Sequence, residues 1–228
     1  MNSKRSTLEL FSTCPRSDRF VLGQEYLREV DGVARWSEEI GCKGILIYSD
    51  NSMLDPWIVS ERILQSTTIL CPLVAVQPVY MHPYAAAKIV ATFGHLYGRT
   101  VYLNMIVGGF TNDLVGLNDT IPHDKRYTRL IEYTCVILEL LRSPKPVTFE
   151  GQFYKVDKIK MVPAPDPGLL PGVFVSGSSE AGLLAARMIG AVGVQYPKPA
   201  QECVAEPPVV RIWVYQPCLA NTELFADL

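Results

Sequence analysis

The chain has 228 residues, 48% of them hydrophobic and 19% charged, with a formal net charge of −2; that is enough for one large domain with a substantial core. This balance excludes a basic nucleic-acid footprint and a polybasic membrane segment. No apolar run approaches the roughly 20 residues that span a bilayer, and Glu9 interrupts the N-terminal segment too early for a signal peptide, so a cytoplasmic location is expected.

In chain order, Leu8 to Ser12 alternates as a first short strand. Apolar residues at Leu27, Val30, Val33, Ala34 and Ile40 then recur at helical spacing, stopped by Gly41. Gly44–Tyr48 is a continuous apolar run, as expected for a strand covered on both faces. Asp55–Pro56 opens a second helix with an N-cap carboxylate and a proline at the first helical position. Leu70–Val76 is a third strand, whose Pro72 must lie near its start. His82–Pro83 opens the next helix, with His82 as its cap, and Val101–Val107 is a fourth strand delivering Gly108-Gly109.

A polar excursion leads to a helix from about Asp124 to Arg142, followed by a small hairpin over Val147–Val156 turning at Glu150-Gly151. Val173–Ser176 is a fifth parallel strand, a helix closed by Gly190 follows, and Ala191–Tyr196 is a sixth strand. Six cysteines (Cys14, Cys42, Cys71, Cys135, Cys203, Cys218) are scattered without a C-x-x-C pair or nearby histidine spacing, which suggests neither zinc nor a disulfide framework.

Alternating strands and helices imply parallel strands joined by right-handed crossovers, in an open doubly wound sheet or a (β/α)8 TIM barrel. No G-x-G-x-x-G follows the first strand, which favours the barrel. Such barrels typically need about 250 residues, and only six units are legible. The expected division is therefore a barrel domain over residues 1–196 and an irregular tail over 197–228, with one further strand at 209–215. The barrel is read as incomplete, or the chain as a truncated or frame-altered version of a longer protein.

The stretch Val173–Ser179 hands a strand to a helix through Ser176-Gly177-Ser178-Ser179. Free N–H groups, hydroxyls and the helix dipole at such a junction suit a phosphate, although small residues also simply cap helices.

Several blocks from about Gly44 to Tyr196 together resemble the bacterial luciferase-like flavin monooxygenases, nearest the alkanesulfonate monooxygenase branch. They are Gly44–Ser49 with Asp55-Pro56-Trp57, Leu73–Pro78, Asn104–Gly109, His123–Tyr127, Val147–Tyr154 and Ser176–Ser179. The resemblance implies a dimeric (β/α)8 barrel using reduced FMN, supplied as a co-substrate by an NAD(P)H-dependent flavin reductase. It implies oxidation of a small organic substrate with O2 through a flavin peroxy intermediate. In the sulfonate enzymes the products are sulfite and an aldehyde.

By the same resemblance Ser176, Gly177, Ser178, Ser179 and Tyr127 fall where the flavin phosphate is held. Ala75, Val76 and Gln77 fall beneath the isoalloxazine, with Asn104 and Val107 beside it. His123 is placed near the cofactor, and Arg211, in Val210-Arg211-Ile212-Trp213, matches the arginine of an arginine-x-histidine pair whose histidine is Trp213 here. Arg126 is read either as a phosphate partner or as paired with Asp124 or Glu132. Rival expectations are a non-catalytic flavin-binding or scaffold barrel fragment, and an oxidoreductase using the deazaflavin F420. Unpaired edges are expected to invite association.

Overall fold

The computed structural model describes residues 9–20, 22–108, 111–177, 179–195 and 209–211. One sheet is built from β1 (Phe11–Thr13), β2 (Gly44–Ile47), β3 (Cys71–Val76), β4 (Tyr102–Met105), β7 (Val173–Ser176), β8 (Val192–Gln195) and β9 (Val209–Arg211). A separate antiparallel hairpin pairs β5 (Val147–Glu150) with β6 (Lys155–Ile159). The helices are α1 (Gly23–Glu39), α2 (Pro56–Ser66), α3 (Pro83–Tyr97), α4 (Thr111–Gly116), α5 (His123–Arg142) and α6 (Glu180–Ile189).

The helices begin and end where local chemistry directs. Asp55 accepts the N–H groups of Trp57 and Ile58 at 2.9 and 3.1 Å ahead of Pro56, and His82 Nδ1 accepts from Tyr84 N at 3.1 Å ahead of Pro83. Gly98 and Gly190, both left-handed, close α3 and α6. The hairpin is pinned to α5 through Glu132, whose carboxylate accepts from the N–H groups of Gln152, Phe153 and Tyr154.

Every neighbouring pair in the large sheet is parallel, and the spatial order β1-β2-β3-β4-β7-β8-β9 follows the chain without reversal. A doubly wound sheet reverses its order at a switch point; this one does not, and the arrangement is that of a (β/α) barrel. Curling is visible in the side chains. The Phe11 and Phe174 rings lie 5.4 Å apart, although four strand spacings, ~19 Å in a flat sheet, separate β1 from β7. Tyr102 joins them at 5.4 and 6.0 Å. Gly44 makes the room, since a methyl there would stand 2.5 Å from Cys71 O and 2.9 Å from the Phe11 ring.

The two faces of the sheet separate cleanly. Leu46, Leu73 and Phe174, with Phe11, Tyr48, Tyr102, Val192 and Val194, form the inner cluster. Their alternates pack outward: Ile45 and Ile47 against α1 and α2, and Val74, Val76, Leu103, Met105 and Val175 against α3 and α5. The polar excursion after β4 contains the short helix α4, which no sequence pattern predicts. Of the strand expected at 209–215, Val209–Arg211 is present and pairs with β8; the remainder, like most of the expected tail, lies outside the described residues.

Candidate functional site

Parallel (β/α) barrels carry their functional groups at the carboxyl ends of the strands, and most of the candidate residues collect there. At the end of β7, Ser179 caps α6, its Oγ accepting from Gly182 N at 3.2 Å. The buried Tyr127, from the first turns of α5, places its hydroxyl 3.2 Å from the same Oγ. Gly177 permits this approach: a methyl there would lie 2.8 Å from Tyr127 Oη and 3.3 Å from Gly182 Cα. Gly182 is equally constrained, with Gly177 O 2.9 Å from where its methyl would stand. Two hydroxyls and the N-terminus of a ten-residue helix therefore converge on a cradle too tight for side chains, and that donor set fits a phosphate. Ser178 lies outside the described residues.

On the inner face beside the cradle, Ser176 Oγ donates to Asn104 Oδ1 at 2.8 Å, and Ala75 stands in register with Asn104. Gln77, only 2% exposed, donates from Nε2 to Ser49 O at 2.9 Å. Its Oε1 lies so close to Gly108 (φ +83°) that a methyl there would stand 2.9 Å away. Ala75, Gln77, Asn104, Ser176, Gly177, Ser179 and Tyr127 thus stand at the carboxyl ends of β3, β4 and β7, linked by register and by the hydrogen bonds of Asn104 with Ser176 and of Tyr127 with Ser179.

Two candidates face away from this group. Val76 and Val107 pack into the helix-side cluster, on the far face of the sheet from Ala75 and Asn104. A strand's side chains alternate, so Ala75 and Val76 cannot both line one surface. Arg211 is in backbone register with Gln195; of its side chain nothing is described, and Trp213 lies outside the described residues. His123 opens α5 on the exposed surface, with its ring 5.5 Å from that of Tyr127 and Nδ1 3.4 Å from Asp124 Oδ1. It stands at the rim.

Arg126 pairs with neither Asp124 nor Glu132. It donates from Nε to Ile121 O at 2.9 Å and from one terminal nitrogen to Gly108 O at 3.3 Å, tying both ends of the segment after β4 to α5. Arg129 pairs with Asp119 at 2.6 Å, both side chains largely buried. Burial alone would raise the Asp119 carboxyl, but the Arg129 bond and the Ile121 N–H hold it below its ordinary range.

The sequence reading missed Asp113. Its Oδ2 accepts the Tyr80 hydroxyl at 2.5 Å and the Asn51 N–H at 3.1 Å, joining the segments after β2 and β3 to α4. Burial, then the bond to Asp113, push the Tyr80 hydroxyl up from its ordinary value. No local signal marks this contact, because Asp113 meets partners 33 and 62 residues away. Among the described residues no group of three or more metal-ligating side chains occurs, and no helix is long and apolar enough to cross a membrane.

A sequentially ordered, curled parallel sheet with a phosphate-suited turn after its fifth member defines a protein of the (β/α)-barrel class. The sequence profile of the luciferase-like monooxygenases matches residues 10–207, and the chain belongs to that family. It is 37% identical over 178 residues to the 4-(γ-L-glutamylamino)butanoyl-[BtrI acyl-carrier protein] monooxygenase BtrO of Niallia circulans, covering 78% of this chain and 52% of that protein. The monooxygenase RslO1 from Streptomyces bottropensis superposes with a TM-score of 0.72 at 16% identity, over 83% of this chain and 60% of that one. A riboflavin lyase, RcaE, whose crystal structure holds modified FMN and riboflavin, gives 0.70 at 18% identity, over 84% and 54%. The chain spans about half the length of the curated relative it matches.

Proposed function

We propose that this chain is the flavin-holding part of an oxygenase that uses reduced FMN and O2 to oxidise a small organic substrate. The observation that carries the reading is the cradle of Gly177, Ser179, Tyr127 and the α6 N-terminus, which suits the phosphate that distinguishes FMN from riboflavin. The flavin supplies the oxygen chemistry when bound. The protein holds the phosphate, orients the ring against the strand ends and keeps water from it.

Alkanesulfonates remain one candidate substrate class. A carrier-tethered acyl group, of the kind named for the BtrO relative, is the other. A separate NAD(P)H-dependent flavin reductase is the proposed source of reduced flavin, a homodimer the proposed assembly and the cytoplasm the proposed location.

The first test is titration with FMN, oxidised and reduced, against the wild type and Ser179→Glu. Saturable binding lost in the variant supports the reading, and no binding by the wild type refutes it. Consumption of reduced FMN and O2 that depends on a sulfonate or an acyl thioester then separates an oxygenase from a non-catalytic flavin binder. The absorbance spectrum of cofactor retained on purification separates FMN from F420.

A further inference from the structure

We infer that Asp113 is a positioning residue that closes the strand-end mouth over the flavin ring by knotting three loops, an inference that rests on the flavin reading above. The knot has two tiers. In the inner tier, fully buried Gln77 bridges the end of β2, through Ser49 O, to the turn after β4, where it packs on Gly108. In the outer tier, one oxygen of Asp113 accepts both from the Tyr80 hydroxyl, on the segment after β3, and from the Asn51 N–H, on the segment after β2.

Asp50 stiffens the β2 arm, accepting from Ser52 N at 2.7 Å and Ser52 Oγ at 2.5 Å. The α4 arm is seated by buried Leu114, which faces Gly108. The same three elements are thus tied twice, once by a neutral amide at the strand ends and once by a carboxylate further out. A hydrogen bond to a charged acceptor is about twice as strong as one between neutral groups, so the outer tie dominates the closure. Asp113 touches neither the phosphate cradle nor the inner-face pair Asn104–Ser176, so its loss leaves flavin anchoring in place and opens the ring to solvent.

The test uses the full chain with oxidised FMN, comparing wild type, Asp113→Ala, Asp113→Asn and Tyr80→Phe. Two quantities are read: the Kd for FMN, and the rate constant for iodide quenching of the bound flavin's fluorescence. For Asp113→Ala the quenching constant rises at least twofold while the Kd moves less than threefold. Tyr80→Phe, which removes a single hydroxyl, rises by a smaller factor, and Asp113→Asn, which keeps an acceptor oxygen but loses the charge, falls about midway between wild type and Asp113→Ala. Unchanged quenching in both Asp113→Ala and Tyr80→Phe overturns the inference, as does a rise matched by an equal loss of affinity. Failure of the wild type to bind FMN overturns the flavin reading itself, which is a different result. Should Asp113→Ala not fold, the Tyr80→Phe comparison decides alone.

Discussion

Gly177→Ala tests the proposed phosphate cradle most sharply, because the neighbours of the added methyl are known. The added methyl would stand 2.8 Å from Tyr127 Oη, roughly 0.7 Å inside ordinary van der Waals separation. The hydroxyl must retreat, breaking its 3.2 Å contact with Ser179 Oγ, because the other near neighbour, Gly182 Cα at 3.3 Å, is backbone and cannot yield cheaply. Overpacking of this kind costs about 1–3 kcal/mol, a fall of ~2–4 °C in Tm per kcal/mol for a chain of this size. One lost hydrogen bond to a phosphate, worth ~1.5–3 kcal/mol, weakens FMN by about 10- to 100-fold. Riboflavin has no phosphate, so its affinity should hold within a factor of about two, a margin of ~0.4 kcal/mol. The assay is parallel fluorescence titration with FMN and riboflavin, with Gly32→Ala as control. A methyl at Gly32 meets nothing within 4 Å and should stabilise α1 by about 0.5–1 kcal/mol. Equal weakening of both flavins, or none, refutes the cradle.

Glu38 caps the chain before β3, one oxygen accepting from Thr68, Ile69 and Leu70 N–H at 2.8, 2.5 and 2.9 Å. Burial alone raises its carboxyl, but the three N–H groups bring it below the ordinary value. Its stabilisation is therefore full above the unfolded carboxylate range, roughly pH 4.3, and lost as pH falls through the folded value. Glu38→Ala should cost about 2 kcal/mol in urea unfolding at pH 7 and progressively less as the pH falls below the unfolded carboxylate range; a cost that does not change with pH would contradict the charge assignment. Asp119→Ala strands buried Arg129 and should cost about 3–5 kcal/mol, with a loss under 1 kcal/mol counting against a buried pair. Tyr133 is fully buried and its hydroxyl has no hydrogen-bond partner among the described residues. Tyr133→Phe should accordingly leave stability unchanged or raise it by up to about 1 kcal/mol, and a clear decrease in Tm would show that the hydroxyl is satisfied.

Local chemistry made most of the elements legible. Asp55-Pro56, His82-Pro83, Gly98 and Gly190 each mark a helix end through contacts within three or four residues, and the helices follow them. The barrel itself rested on weaker ground in the sequence, namely a missing dinucleotide fingerprint. What decides it is long-range: the order of the strands and the meeting of Phe11, Tyr102 and Phe174. No window of sequence contains that meeting, although Gly44 in an otherwise apolar run is its trace, a position left empty for a ring from the neighbouring strand. Helix α4, six residues with one buried side chain, carried too short a pattern to be read.

The site divides along the same line. The proposed phosphate end is a strand, a turn and a helix consecutive in the chain, so the junction at Ser176, Gly177 and Ser179 is legible from its neighbours, whereas Tyr127 reaches it from α5. The ring end is assembled from the tips of several strands and the loops beyond them, and there the sequence reading mixed inner with outer residues. Naming Ala75, Val76 and Gln77 together ignored the two-residue alternation of a strand, which by itself assigns Val76 to the helix side, where it is found. Asp113 escaped the sequence reading, and the contacts of Arg126 were not legible, for a different reason: their partners include backbone carbonyls and an N–H outside their own helices, and a sequence does not display where its backbone groups will stand. Charged residues in a polar excursion should therefore be tested first as fasteners of the loops around a cofactor site, and only then as groups that touch the cofactor.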